Sequence, residues 1–143
     1  MIDLIDPLLA IDVGRGTQDI LVYEPGRPIE NSIKLVLPSP NVVVAEKIRQ
    51  VTQARRPVFL NGFLMGGGAN TGATREHLAA GLPVYATPDA AATIHDDPER
   101  VRALGVEIRT SPPADAVTIH ATDYMEPELR ETFSLFGIDY PEN

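Results

Sequence analysis

The chain has 143 residues, 43% of them hydrophobic and 22% charged, which suits one compact globular domain and argues against wholesale disorder. Twelve Lys and Arg against twenty Asp and Glu give a net charge of −8 with no basic cluster, so neither nucleic acid nor an anionic membrane surface is an expected partner. There is no cysteine, which removes disulfides, thiolate metal sites and a cysteine nucleophile from this chain.

The N-terminal residues Met1 to Pro7 carry no positive leader, and no apolar run approaches the length of a membrane span, so the expected location is cytoplasmic. Leu8 to Val13 is a short branched apolar run, followed by a Gly14-Arg15-Gly16 turn and a returning strand over Thr17 to Glu24. Pro25-Gly26-Arg27-Pro28 is a second turn signal, and Ser32 to Leu37 alternates as a third strand. These segments make an antiparallel meander. Ser39 or Asn41 then offers an N-cap for a helix over Val42 to Arg55, on which Val44, Ile48 and Val51 follow helical spacing. Val58 to Leu64 reads as a buried strand running into a flexible loop, Gly66-Gly67-Gly68-Ala69-Asn70, before a helix over Thr74 to Ala80 with Gly81 as its C-cap. Strands at 84–87, 106–109 and 116–121 alternate with helices at 98–104 and 127–136. A meander followed by alternating helices and strands predicts one α/β domain with a mixed sheet, the layout of the ribonuclease-H-like fold.

Two stretches carry recognisable chemistry. In Asp12-Val13-Gly14-Arg15-Gly16-Thr17-Gln18-Asp19 a carboxylate closes a strand, glycines allow positive φ and close approach of backbone N–H groups to anionic oxygens, and Thr17 supplies a hydroxyl. Asp12 beside a phosphate makes physical sense with Mg²⁺ or its water shell between them. Asp19 is two residues beyond Thr17 and on the same strand face, a candidate second acid or a cross-hairpin partner, and Arg15 sits at the turn apex. The second stretch is the loop with Gly66, Gly67, Gly68 and Asn70, where successive amides before a helix form an anion-binding concavity at the carboxyl end of a strand. His77, His95 and His120 lack the spacing of a two-histidine metal site, although the glycine loop could bring His77 to a pocket.

The Asp12-x-Gly14-x-Gly16-Thr17 turn resembles the first phosphate hairpin of the actin, Hsp70 and sugar-kinase ATPases. That resemblance implies that Asp12 holds hydrated Mg²⁺, that Gly14 to Thr17 hold the phosphates of ATP, and that the chain corresponds to one half of such an ATPase, whether as an N-terminal fragment of a longer protein, a split subunit or a domain that has lost catalysis. Over residues 8–110, the strings Ile11 to Leu21, Glu30-Asn31-Ser32, Val36 to Pro40, Met65 to Gly68 and His77 through Val84 to Thr87 are also similar to an uncharacterised family labelled "putative pyruvate formate-lyase-activating enzyme". A radical activase of that kind needs three cysteines for its iron–sulfur cluster, and this chain has none. The expectation is therefore a nucleotide- or phosphoryl-ligand-binding half-domain of an ATPase or small-molecule kinase. It would be inactive alone and completed by a second half-domain or a homo-oligomer. The alternative is a non-enzymatic assembly module with a relic phosphate loop. A ribonuclease H activity would call for more carboxylates and a basic groove.

Overall fold

The computed structural model describes residues 6–65 and 67–142. The chain divides into two compact units, one made of the residues up to 39 together with those from 124 onward, the other of residues 40–123. Membership of the α/β class follows directly from the elements, but the strands form two sheets, an antiparallel one of three and a parallel one of four, where one mixed sheet was expected.

In the first unit, β1 (Leu8–Val13), β2 (Thr17–Tyr23) and β3 (Ile33–Pro38) pair in the order β1-β2-β3, with a single 3₁₀ turn, Ile29–Asn31, between the last two. The register sets Asp12 opposite Asp19 and Ile20 opposite Leu35. Alternation along the strands puts Ile11, Ile20, Val22, Ile33 and Leu35 on one face. That face is covered by α5 (Glu126–Leu135), whose Leu129 and Phe133 join Ile20 and Val22 in a core that is at most 3% exposed. Beyond α5, Tyr140 packs its ring 5.3 Å from Phe133 and hydrogen-bonds Tyr124 through the two hydroxyls. Arg130 lies over the Tyr140 ring and grips Glu142 with two nitrogens, at 3.0 and 2.9 Å, while its Nε reaches Glu126. The bidentate fork gives geometry more than energy, since these groups are exposed.

In the second unit, α1 (Pro40–Gln53), β4 (Val58–Phe63), α2 (Gly68–Ala79), β5 (Val84–Ala86), α3 (Pro88–Ile94), α4 (Pro98–Ala103), β6 (Val106–Ile108) and β7 (Val117–Thr122) build a parallel sheet of order β6-β5-β4-β7 with its helices. Val44, Ala45 and Ile48 of α1 meet Val58, Leu60, Ala73, Val84, Val101 and Ile119 in one apolar cluster. The sequence pattern locates most of these elements within two residues. The exceptions are α3 and α2. Thr87-Pro88-Asp89 is a complete helix start, with Thr87 accepting from Ala90 N at 3.3 Å, proline in the first turn and an acid beside it. At seven residues the helix is too short to show helical periodicity in the sequence.

The flexible loop expected at 66–70 is corrected as well. Gly66 lies outside the described residues, but Gly68, Ala69 and Asn70 are already the first turn of α2. Asn41 of α1 provides the reason: its Oδ1 accepts from Asn70 N at 2.9 Å, tying the start of α2 to α1. At the other end Gly81, at φ +76°, closes α2 as expected, with Leu82 N bonded back to His77 O.

His77 is fully buried, and its Nδ1 lies 2.7 Å from Thr52 Oγ1, whose own proton goes to Ile48 O. The ring proton is therefore on Nδ1, and among the described residues no group lies within hydrogen-bonding geometry of buried Nε2. This corrects the expectation that His77 would reach a pocket. Burial pushes its pKa down, partly offset by the Pro83 carbonyl. A histidine held neutral in the fold contributes stability that is complete above its unfolded value and is lost as pH falls below it, because the unfolded chain then binds the extra proton. Urea midpoints measured from about pH 7.5 to about pH 5.5, a window spanning the ordinary histidine value, should fall in the wild type. His77→Gln should flatten that slope, whatever its own stability; an unchanged slope would assign the acid sensitivity elsewhere.

Candidate functional site

The β1–β2 hairpin is the feature in which residue chemistry and geometry coincide. Gly14 N donates to Thr17 O at 2.8 Å, so Arg15 and Gly16 form the turn. Neither Gly14 nor Gly16 has a positive φ, which corrects the expectation from the turn sequence. Gly14 is required for another reason. A Cβ there would stand 2.8 Å from the Thr17 carbonyl oxygen, whereas at Gly16 it would meet nothing within 4 Å.

Ser39, fully buried just after β3, clamps this turn twice. Its backbone N–H donates to Gly16 O and its hydroxyl to Arg15 O, both at 3.0 Å. Gln18, 3% exposed, adds a third tie through Nε2 to Pro38 O at 3.0 Å. Because a trans peptide points its C=O and the following N–H in opposite directions, fixing the Arg15 and Gly16 carbonyls on Ser39 turns the Gly16 and Thr17 N–H groups away from it. Ser39 carried no signal of this role in the sequence, where it read as a helix cap. Only the return of β3 alongside β2 places it under the turn.

Asp12 and Asp19 are register partners across the hairpin and both are exposed. They line a shallow depression of about 460 Å³ on the sheet's outer face with Ala10, Leu21, Lys34 and Val36. Directly opposed like charges disfavour the pairing unless a cation sits near them, and Lys34, on the neighbouring strand, is the closest one in register. Among the described residues no group of three or more acids or histidines could hold a metal on protein ligands alone. A pair of carboxylates still fits Mg²⁺, which keeps several waters and takes one or two carboxylates plus phosphate oxygens. Arg15 and Thr17 are exposed at the turn, so the expected residues Asp12, Gly14, Arg15, Gly16, Thr17 and Asp19 are one contiguous patch.

The second expected stretch is built differently. A Cβ at Gly67 would lie 2.6 Å from Thr71 Oγ1 and 3.0 Å from Thr93 O, and one at Gly68 would lie 2.9 Å from Asn41 Nδ2. Close packing of α2 against α1 and α3 therefore accounts for both glycines. Asn70 is 1% exposed, with its N–H on Asn41 and its Nδ2 on Thr93 Oγ1 at 3.3 Å, which turns it inward. Asp123, which the sequence shows only as one of a run of C-terminal acids, fixes the segment after β4 by accepting from Met65 N with both oxygens, at 3.0 and 2.9 Å.

Two glycines in one turn thus make opposite predictions. Gly14→Ala should disrupt the hairpin and lower the thermal midpoint by several degrees, the scale of a 1–3 kcal/mol overpacking loss, roughly. Gly16→Ala should leave it within about a degree. Calorimetry on both variants separates them, and equal midpoints would mean that the turn does not depend on the Gly14 contact.

No curated protein and no solved structure matches the chain. A family model described as "Putative pyruvate format-lyase activating enzyme (DUF1786)" matches residues 65–143, more than half of it. The match begins after the Asp12 hairpin. With no cysteine in the sequence, the residues present do not fit the thiolate-held cluster that the description brings to mind. The chain belongs to the DUF1786 family.

Proposed function

We propose that the β1–β2 hairpin binds a Mg²⁺-coordinated phosphoryl ligand, with a nucleotide such as ATP as the leading candidate. The observation that carries this reading is the opposition of Asp12 and Asp19 at the mouth of a turn whose carbonyls are pinned by Ser39. The two carboxylates would hold hydrated Mg²⁺, which would neutralise phosphate charge when bound. The Gly16 and Thr17 amides would donate to phosphate oxygens, with no side chain at Gly16 to block their approach. Thr17 Oγ1 and the Arg15 guanidinium extend the same donor set.

The finer reading is that the hairpin belongs to a ribonuclease-H-like half of an actin-like ATPase or small-molecule kinase. The three-stranded meander leading into a helix supports it. In that architecture a second half completes the nucleotide cleft, so this chain alone offers phosphate contacts without an adenosine pocket. Its affinity should accordingly be about millimolar, roughly −4 kcal/mol, with no measurable turnover. An exposed Val36, 66% accessible beside Leu21 on the same outer face, favours a second reading as an assembly surface. A Val36→Asp change that converts an associating chain to monomer in sedimentation would support it.

Isothermal titration with Mg·ATP, Mg·ADP and inorganic phosphate tests the first reading. Metal-dependent binding should be present in the wild type, at least tenfold weaker in Asp12→Asn, and weakened in Gly16→Val, which adds bulk where the anion would lie. Absence of any metal-dependent binding, or indifference to both substitutions, would eliminate the hairpin as a phosphate site.

A further inference from the structure

The chain has three histidines, and the structure gives each ring a different state. His77 is buried with its proton on Nδ1. His95 Nδ1 accepts the Asp97 N–H at 2.9 Å, and an Arg100 guanidinium nitrogen stands 3.5 Å from its Nε2. His120 reverses that arrangement in the open. Its Nδ1 lies 2.9 Å from Asn61 Oδ1, and a carbonyl oxygen can only accept. The ring proton is therefore on Nδ1, and the Nε2 lone pair is free, with no hydrogen bond among the described residues.

The backbone is shaped to keep the ring there. Gly62, inside β4, has φ +77°, a conformation that weakens a strand and is readily available to glycine alone. A Cβ at Gly62 would stand 2.2 Å from Ala121 O and 2.7 Å from His120 Cε1, so the imidazole rests where any other residue's side chain would begin. The parallel register pairs Asn61 with His120 and Gly62 with Ala121. His120 is exposed and lies outside the apolar cluster, and Gly62 makes room both for the Ala121 carbonyl of the neighbouring strand and for the ring.

In the order β6-β5-β4-β7 the chain leaves β4 for β5 on one side and later returns as β7 on the other, which makes the carboxyl ends of β4 and β7 the switch point where open parallel sheets take ligands. Phe63, the last residue of β4, pairs in register with Thr122 and is 51% exposed at that end of the sheet.

We propose that His120, held by Asn61 over Gly62, is the proton acceptor of a second site at the carboxyl ends of β4 and β7, which takes a small ligand bearing a hydroxyl on a flat ring. The ring lies against Phe63, and the hydroxyl donates to His120 Nε2. When the O–H bond breaks, the proton passes to Nε2 and the electron pair remains on the ligand oxygen. Asn61 Oδ1 keeps accepting from Nδ1–H and so supports the resulting imidazolium. This site is independent of the phosphate hairpin.

The probe is 4-nitrophenol, whose anion absorbs visible light, at a pH where the free probe is mainly protonated. The wild-type chain should raise the anion's absorbance in a saturable way, and His120→Gln should abolish the rise. Phe63→Ala should weaken binding about tenfold, the scale of one lost favourable contact, and His95→Gln should leave it unchanged. Ring ¹⁵N shifts in the wild type, read without any probe, should report the Nδ1–H tautomer for His120, and Asn61→Leu should remove that preference. An Nε2–H tautomer in the wild type, or an absorbance rise that survives His120→Gln, would overturn the proposal.

Discussion

A three-stranded antiparallel sheet with one apolar face must have that face covered, and everything else in the first unit follows from how this chain meets the requirement. Ile20 and Val22 lie on the central strand with Ile11, Ile33 and Leu35 beside them, and among the described residues no α-helix near them in sequence belongs to their unit. The cover comes instead from Leu129 and Phe133, more than a hundred residues later. Such a pairing is slow to find because the loop-closure entropy of a long separation is lost before any contact forms. Once made, it excludes water from the inner face and leaves the other to solvent. The outward position of Asp12 and Asp19 is thus a consequence of Phe133 being inward, since a one-residue shift in register would exchange the two faces.

The hairpin's geometry depends on the same pairing at its open end. Pro38 pairs with Thr17 at the last rung of the β2–β3 ladder and Ser39 follows directly after it, so the strand that aligns the sheet also orients the turn. A turn held by three hydrogen bonds loses less conformational entropy when it meets an anion than a free glycine loop would. This preorganisation separates the hairpin from the segment after β4, where glycines serve the packing of helix on helix.

The second unit shows what glycine and asparagine do when their amides are turned inward. Asn41 and Asn70 are neighbours across α1 and α2, and Asn70 Oδ1, Thr74 Oγ1 and His77 Nε2 are buried along one face of α2 without a hydrogen-bond partner among the described residues. Unpaired buried polar atoms cost about 1–3 kcal/mol each, so this interface favours a specific helix pairing at the expense of stability. The apolar cluster of Val58, Leu60, Val84 and Ile119 beneath it supplies the compensation.

The sequence by itself determined the element types, because alternation and helical spacing follow from local geometry: β1, β2, β3 and α1 are legible from apolar periodicity, and Gly81 from its place after a helix. It also determined the hairpin's chemistry, since Asp12, Gly14, Gly16, Thr17 and Asp19 lie within eight consecutive residues. It could not say that the strands divide into two sheets, because strand partners are chosen by burial across long separations. Nor could it distinguish an anion loop from a helix start at Gly67 and Gly68, where the deciding contacts come from Asn41 and Thr93. Only tertiary structure decided the direction of side chains that pattern alone leaves free. Ser39 turned under the hairpin, His77 turned into the core and His120 was set over Gly62, because each is fixed by a partner at least twenty residues away.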